Sequence, residues 1–319
     1  MGRDNKKEFD VIVVGELNVD LILNQLESFP ETGKEKLADA MTLTLGSSSA
    51  IFASNLSSLG MKVAFIGKIG NDIFGRFCKE QLEAKGVDTS MIFIDKELKT
   101  GATVVLNFGE DRAMVTHQGA MKYLSVDDIT NEMLSRASHL HFSSYFLQPG
   151  FKKSLDILFN AARKSGLTTS LDIQWDPAER WDFDYKRVLP LVHVFLPNET
   201  ELLNLTKQNS VDDAIKIVSD YGNIIVVKKG KEGSLMSYNN KVITCKPFLN
   251  DQVIDAIGAG DSFNAGFIFR YMQGRRPEDC QQLANLIGAI STTKPGGTTA
   301  FINYNETMKI AKEKFGYEE

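Results

Sequence analysis

The sequence predicts an α/β fold, with a mostly parallel β-sheet covered by helices on both faces and a small antiparallel sheet standing off it. Two observations predict it. Short apolar runs alternate with segments of helical period, the rhythm of strand-helix-strand units. Two stretches, 17–45 and 100–118, break that rhythm with hairpin-like patterning.

In chain order, DVIVVG at 10–15 reads as a buried strand, because Val11-Ile12-Val13-Val14 is an unbroken β-branched run. Residues 61–67, 139–143, 168–172, 193–196 and 224–227 read likewise. Helical spacing marks 73–85, 152–164, 211–220 and 262–272, and a further helix ends at Leu59-Gly60. Val104 and Leu106 alternate ahead of a Gly109-Glu110-Asp111 turn, which resembles a hairpin, so the two interrupting stretches are expected to pair. One domain over residues 1–319, with a small subdomain from about 17–45 and 100–118, fits the length.

Composition excludes several classes. Hydrophobic content of 43% and charged content of 24% are ordinary for a globular protein, and no apolar run is long enough to cross a membrane. The charged segment 1–10 lacks a secretory apolar core, and Lys6 stands where N-myristoylation of Gly2 prefers Ser or Thr, so a cytoplasmic location is expected. A net charge of -5 argues against nucleic-acid binding. Cys78, Cys245 and Cys280 are scattered, without the paired spacing of a zinc site or a disulfide framework.

Chemistry concentrates in Asp255-Ala256-Ile257-Gly258-Ala259-Gly260-Asp261, which runs straight into the apolar stretch 262–272. A glycine turn opening a helix aims backbone N–H groups and the positive end of the helix dipole at one spot, which suits a phosphoryl group. A second anion there needs a reason. Asp261 has one if it removes a proton from a hydroxyl attacking phosphorus; its other reading is a helix cap beside a tight turn. Asn18 and Asp20, two apart beyond the first strand, share a face if the chain stays extended and can grip two hydroxyls, or they serve a turn.

Gly258-Ala259-Gly260-Asp261, with Asp255 ahead of it, resembles the signature of the ribokinase-like (PfkB) carbohydrate kinases. The resemblance implies a three-layer α/β/α sandwich whose small antiparallel sheet is a lid over a sugar site. It implies substrate contacts from Asn18, Asp20, Gly46, Ser47 and Gln148. Gly46-Ser47-Ser48-Ser49-Ala50-Ile51 is similar to the family's first signature, with Ser47 in place of a glycine and Ile51 in place of an asparagine. Ile51 offers no hydrogen bond, which points to a substrate other than ribose.

Asn198-Glu199-Thr200-Glu201 resembles the family's Asn-x-x-Glu motif, which implies that Asn198 and Glu201 serve nucleotide-bound Mg²⁺ through water; the same spacing reads as a capping box. Lys228, Gly230 and Gly233 resemble the nucleotide-binding turn, though the family often has Thr where Lys228 stands, and Asn285 is expected to flank adenine. Asp172, at the head of Asp172-Ile173-Gln174-Trp175, either supports the metal-phosphate region or caps a turn. Asp255, Ile257, Ser291, Lys294 and Gly296 resemble a monovalent-cation loop, although Ala300 lacks the hydroxyl of ribokinases, which puts potassium dependence in question.

Other templates fail. No Gly-Lys pair is followed by Ser or Thr, as a Walker-type loop needs, and Gly258-Ala259-Gly260 lacks the third glycine of a dinucleotide fingerprint. His139 and His141 alternate on one strand without a third ligand and read as packed residues. The expected function is transfer of the γ-phosphoryl of ATP to a hydroxyl of a small sugar, with Mg²⁺, Asp261 as base and Gly258, Ala259 and Gly260 as anion hole. A nucleoside kinase and a non-catalytic sugar or nucleotide sensor are the alternatives. A homodimer through the small sheet is compatible with each.

Overall fold

The computed structural model describes residues 7–108 and 111–318. The expected turn at Gly109-Glu110 and the N-terminal residues Gly2 and Lys6 lie outside the described residues. Its first elements are β1 (Phe9–Val14), β2 (Asn18–Asn24), β3 (Ala40–Leu45), α1 (Ser48–Ser58), β4 (Val63–Gly70), α2 (Ile73–Ala84), β5 (Ile92–Asp95), β6 (Gly101–Phe108) and β7 (Asp111–His117). Then come α3 (Asn131–Ser135), β8 (Ala137–Ser143), α4 (Leu155–Lys164), β9 (Thr168–Asp172), α5 (Tyr185–Val188), β10 (Val194–Phe195), α6 (Glu199–Thr206), α7 (Val211–Ser219) and β11 (Ile224–Lys228). The chain finishes with β12 (Ser234–Tyr238), β13 (Lys241–Cys245), α8 (Ala259–Met272), α9 (Pro277–Ser291) and α10 (Tyr304–Phe315).

Among the described residues these strands form a nine-stranded sheet, β13-β12-β11-β10-β9-β8-β1-β4-β5, and a four-stranded one, β3-β2-β6-β7. The large sheet is parallel from β11 to β5, and β12 and β13 add an antiparallel edge. In the small sheet both outer pairs are antiparallel and the central pair, β2 with β6, is parallel. The hairpin arm pairs Val104 with Val115.

Alternation along β1 explains the layers. Val11 and Val13 face a core completed by α1, α8 and α9, whereas Ile12 and Val14 face a second core under α4, α6 and α7. Successive strand residues point to opposite faces, so a continuous Val/Ile run is what a strand between two helix layers requires. All four are fully buried. Gly266 lets α8 and α9 meet closely, since a Cβ there would stand 2.9 Å from the Ile287 side chain.

Differences from expectation are local. The helix expected from 152 begins at Leu155, because Pro149–Phe151 forms a tighter 3₁₀ turn ahead of it. The strand expected over 193–196 is ordered as a strand only at Val194–Phe195. Edge strands β5 and β13, and β12 beside β13, lack the long buried run that marks the central strands. No helix among the described residues is long and apolar enough to cross a membrane.

Candidate active site

Where the parallel strands end, the chain delivers polar residues to one edge. Glu16 follows β1, Asp172 closes β9, Asn198 follows β10 and Lys228 closes β11. Open α/β sheets bind ligands at this C-terminal edge. To it α8 brings Asp261, its third residue, only 6% exposed.

The turn ahead of α8 has the geometry glycine permits. Gly258 caps the helix at φ 72° without a side-chain bond, a left-handed conformation costly for other residues. A Cβ there would also lie 2.7 Å from Gly297 Cα and 3.0 Å from Ile51 Cγ2. Ile51 is therefore a buried wedge packed against both glycines. Its position bears on where the turn sits rather than on hydrogen bonding to a sugar. Of the three turn amides, the Ala259 N–H leans toward Ala256 O at 3.3 Å.

Asp261 Oδ1 accepts from Gln174 Nε2 at 2.9 Å, and the Ser48 side chain bonds the same carboxylate. Burial pushes Asp261 up to about 7, the Asp172 and Glu16 carboxylates adding to it and Lys228 opposing. That matches a base working near neutrality. Gln174 sits at φ 60° and reaches Asp172 Oδ2 as well, at 2.9 Å. The same oxygen takes Lys228 Nζ at 2.6 Å and Asn264 Nδ2 at 2.6 Å. Asp172 Oδ2 is thus saturated by protein donors, while Oδ1 takes only the Gln174 N–H, at 3.3 Å, among the described residues.

Asn198 and Glu201 form a full capping box on α6, with Asn198 Nδ2 adding a third bond, 2.7 Å to Glu201 Oε1. Burial pushes Glu201 up to about 8, the Asp172 carboxylate adding to it. No cluster of three or more His, Cys, Asp or Glu side chains able to hold a metal occurs among the described residues. This donor set, a buried carboxylate-carboxamide pair with Asp172 behind it, fits Mg²⁺ that is held mainly by nucleotide phosphates and its own waters.

In the four-stranded sheet, β2 opens with Asn18 and carries Asp20 on the same face. Asn18 Nδ2 lies 3.1 Å from Asp20 Oδ1 and 3.1 Å from Thr103 Oγ1 of β6. Burial pushes Asp20 up to about 6. Gly46 closes the cluster, since a Cβ there would stand 2.3 Å from Asp20 Oδ1. Ser47, in the place of the family's second glycine, holds φ 73°, caps Ala50 N at 3.0 Å and donates to Glu16 O at 2.5 Å. Between the two groups lies Glu16, 1% exposed, with Oε2 on Ser49 Oγ at 2.5 Å; burial raises its pKa.

The other candidate residues also make contacts within the protein. Gln148 is fully buried; its Nε2 donates to Ser143 O at 2.6 Å and Ser144 O at 3.3 Å, while its Oε1 finds no partner among the described residues. Gly230 and Gly233 shape the turn after β11 at φ 55° and 87°. Gly233 and Asn285 meet on the 245–247 segment: a Cβ on Gly233 would press on Cys245 O, and Asn285 Nδ2 donates to Lys246 O at 3.2 Å. Asp255 receives the Ile257 and Gly296 N–H groups at 2.9 Å each, Ser291 Oγ turns to Gly288 O at 2.8 Å, and Lys294 is exposed. Through Asp255 the turn ahead of α8 is fastened to the loop at Gly296. His139 and His141 share Ser170 Oγ at 2.7 and 2.8 Å, and His141 stacks on Phe52. They are packed, as their spacing suggested.

Glu16, Asn264 and Thr103 belong to no signature quoted above, and only their convergence in space marks them. Glu16 carried one signal, a carboxylate directly beyond a buried strand.

Comparison with known proteins gives the family. The family model described as pfkB family carbohydrate kinase matches residues 8–303. The chain is 30% identical to an "uncharacterized sugar kinase" of Archaeoglobus fulgidus, over 76% of this chain and 95% of that protein. It is 26% identical to a nucleoside kinase of Methanothermobacter thermautotrophicus, covering 97% of each chain. Its fold superposes on Arabidopsis thaliana ribokinase complexed with ribose and ATP with a TM-score of 0.82, at 23% identity, covering 95% of this chain and 99% of that one. A ribokinase-like fold, the glycine turn opening α8 and this match over nearly the whole length make the chain a member of the pfkB family of carbohydrate kinases.

Proposed function

We propose that this kinase transfers the γ-phosphoryl of ATP to a hydroxyl, of the primary class, on a small sugar. Asp261 takes the hydroxyl proton, the freed oxygen attacks the γ-phosphorus, and the bond to ADP breaks with its electron pair leaving on ADP. The Gly258 and Gly260 amides and the α8 dipole stabilise the transferring group, the expected Ala259 N–H being turned to Ala256 O, while Asn18, Asp20 and Gly46 orient the acceptor. Mg²⁺, bound with the nucleotide, supplies charge neutralisation on its phosphates. Asn198 and Glu201 hold their places toward it through their mutual hydrogen bonds.

The observation that carries this reading is Asp261 itself. It is a carboxylate buried at a glycine-capped helix start, pushed up to about 7, and within the electrostatic reach of the Glu16 that borders the Asn18–Asp20 cluster. The four-stranded sheet supplies Asn18, Asp20 and Thr103, which supports its role as a lid that excludes water on closure. One of its faces carries Leu43, Leu21, Val104 and Val115 in register, with Val115 70% exposed, which supports pairing of two copies there.

A nucleoside acceptor is the second reading, favoured by the similarity to a nucleoside kinase over almost the full length. ADP release measured with Mg·ATP over ketoses, pentoses, sugar acids and nucleosides tests both. Turnover restricted to nucleosides replaces the first reading by the second. Absence of ADP release with every acceptor, in a protein that binds Mg·ATP, overturns both.

A further inference from the structure

Lys228 is the buried cation of this site, and its surroundings differ from those of a nucleotide-gripping lysine. Its backbone is fixed at the end of β11, with N–H donating to Pro197 O at 3.0 Å. The side chain, 10% exposed, turns inward under α8. Nζ lies 2.6 Å from Asp172 Oδ2 and 3.4 Å from Asn264 Oδ1. An ammonium has three N–H donors, and the third finds no acceptor among the described residues.

The place of that third donor matters. Nζ is 3.7 Å from the point where a Cβ on Gly260 would stand, so the ammonium lies against the backbone of the anion turn. Asp172, Glu201 and Asp261 all act on it electrostatically and hold it protonated, although burial works the other way. A buried ion pair is weak as a stabilising device, because desolvation offsets its attraction. A fixed, desolvated positive charge beside the point of phosphoryl transfer is, by contrast, strong as a device for transition-state stabilisation.

We propose that Lys228 is a catalytic cation of the transfer step, its free N–H donating to a non-bridging oxygen of the γ-phosphoryl between Asp261 and the Gly260 amide. This rests on the kinase reading above and deepens it. Lys228 transfers no proton; the hydroxyl proton goes to Asp261 and the leaving electron pair to ADP. Asp172 acts through Lys228 as a positioning residue, with Asn264 and Gln174 completing its shell. The positive charge is then a fixed part of the protein and is present before the nucleotide arrives.

The test compares wild type, Lys228→Met and the double variant Asp172→Asn/Lys228→Met, which removes both charges and protects against misfolding around an unpaired carboxylate. Mg·ADP affinity is measured by calorimetry, and transfer by single turnover of Mg·ATP with an acceptor found by the ADP-release panel. The expected result is Mg·ADP affinity within about threefold of wild type and transfer slowed by at least about 10²-fold in both variants, in the range seen on losing one transition-state donor. A folded double variant that transfers at close to the wild-type rate overturns the proposal, since Lys228 would then only neutralise Asp172. Equal losses of Mg·ADP affinity and rate overturn it too, because they would mark a ground-state contact. Failure of the kinase reading itself is distinguishable: wild type would bind Mg·ATP and release no ADP.

Discussion

Replacing Asp261 by asparagine separates what the carboxylate does from what it costs the fold. The side chain ionises near 3.8 when unconstrained and at about 7 in the folded protein. Because the folded value is the higher, the native state holds the proton more tightly. The resulting stability is complete below the unfolded value and is lost as pH rises through about 7. At roughly 1.4 kcal/mol per unit, the displacement amounts to about 4 kcal/mol by pH 8, of which about 2–3 kcal/mol accrues above pH 5. Asparagine has nearly the same shape, can still accept from Gln174 Nε2 and does not ionise. Asp261→Asn is expected to be the more stable protein at pH 8, and the gap should narrow by about 2–3 kcal/mol at pH 5, each kcal/mol being roughly 2–4 °C in Tm for a domain of this size or somewhat smaller. Asp20 and Glu201, pushed up to about 6 and about 8, titrate in both proteins and largely cancel in the difference. Activity moves oppositely. Wild-type kcat/KM should rise with pH around an apparent pKa near 7, whereas the variant should lose roughly 10²- to 10⁴-fold in turnover, the usual worth of a general base. Thermal scans and ADP-release assays in overlapping buffers read both. Parallel Tm curves would show that the carboxylate is not strained by its surroundings, and near-normal turnover would remove it from the chemistry.

Asp20→Ala should raise KM for the acceptor far more than for ATP; equal changes in steady-state kinetics would make Asp20 structural. Gly46→Ala drives a methyl to within 2.3 Å of Asp20 Oδ1 and 2.7 Å of Asn18 Nδ2, so it should raise acceptor KM at least tenfold and destabilise by about 1–3 kcal/mol, as overpacking does, while leaving Mg·ADP binding intact in calorimetry. Val115→Glu places a charge on the apolar face of the small sheet; light scattering should show half the mass of wild type, and an unchanged mass would remove that face from any self-association.

The central strands were readable because Val11-Ile12-Val13-Val14 can satisfy only a position between two helix layers, and Gly258-Ala259-Gly260-Asp261 because few sequences place an acid on a glycine-started helix. What pattern could not convey is convergence. Lys228 reads as part of a nucleotide-binding turn with Gly230 and Gly233, yet its side chain reaches Asp172, 56 residues earlier, because β9 and β11 flank β10 and end at one edge. Ile51 reads as a lost ligand and is a packing wedge. Gln148 reads as a ligand, and the two backbone partners of its Nε2, Ser143 and Ser144, become visible only once β8 is seen to end there. Asn198 and Glu201 satisfy the capping box and the nucleotide motif together, so spacing alone does not separate the two.

The site gathers Glu16, Asp20, Asp172, Glu201 and Asp261, and the Lys228 ammonium answers Asp172, Glu201 and Asp261. Burial raises the pKa of Glu16, Asp20, Glu201 and Asp261, so bound protons relieve much of the crowding of like charge. Each carboxyl that ionises makes the next harder to ionise, so the group titrates as a linked set, spread over a wider span of pH than isolated acids would need.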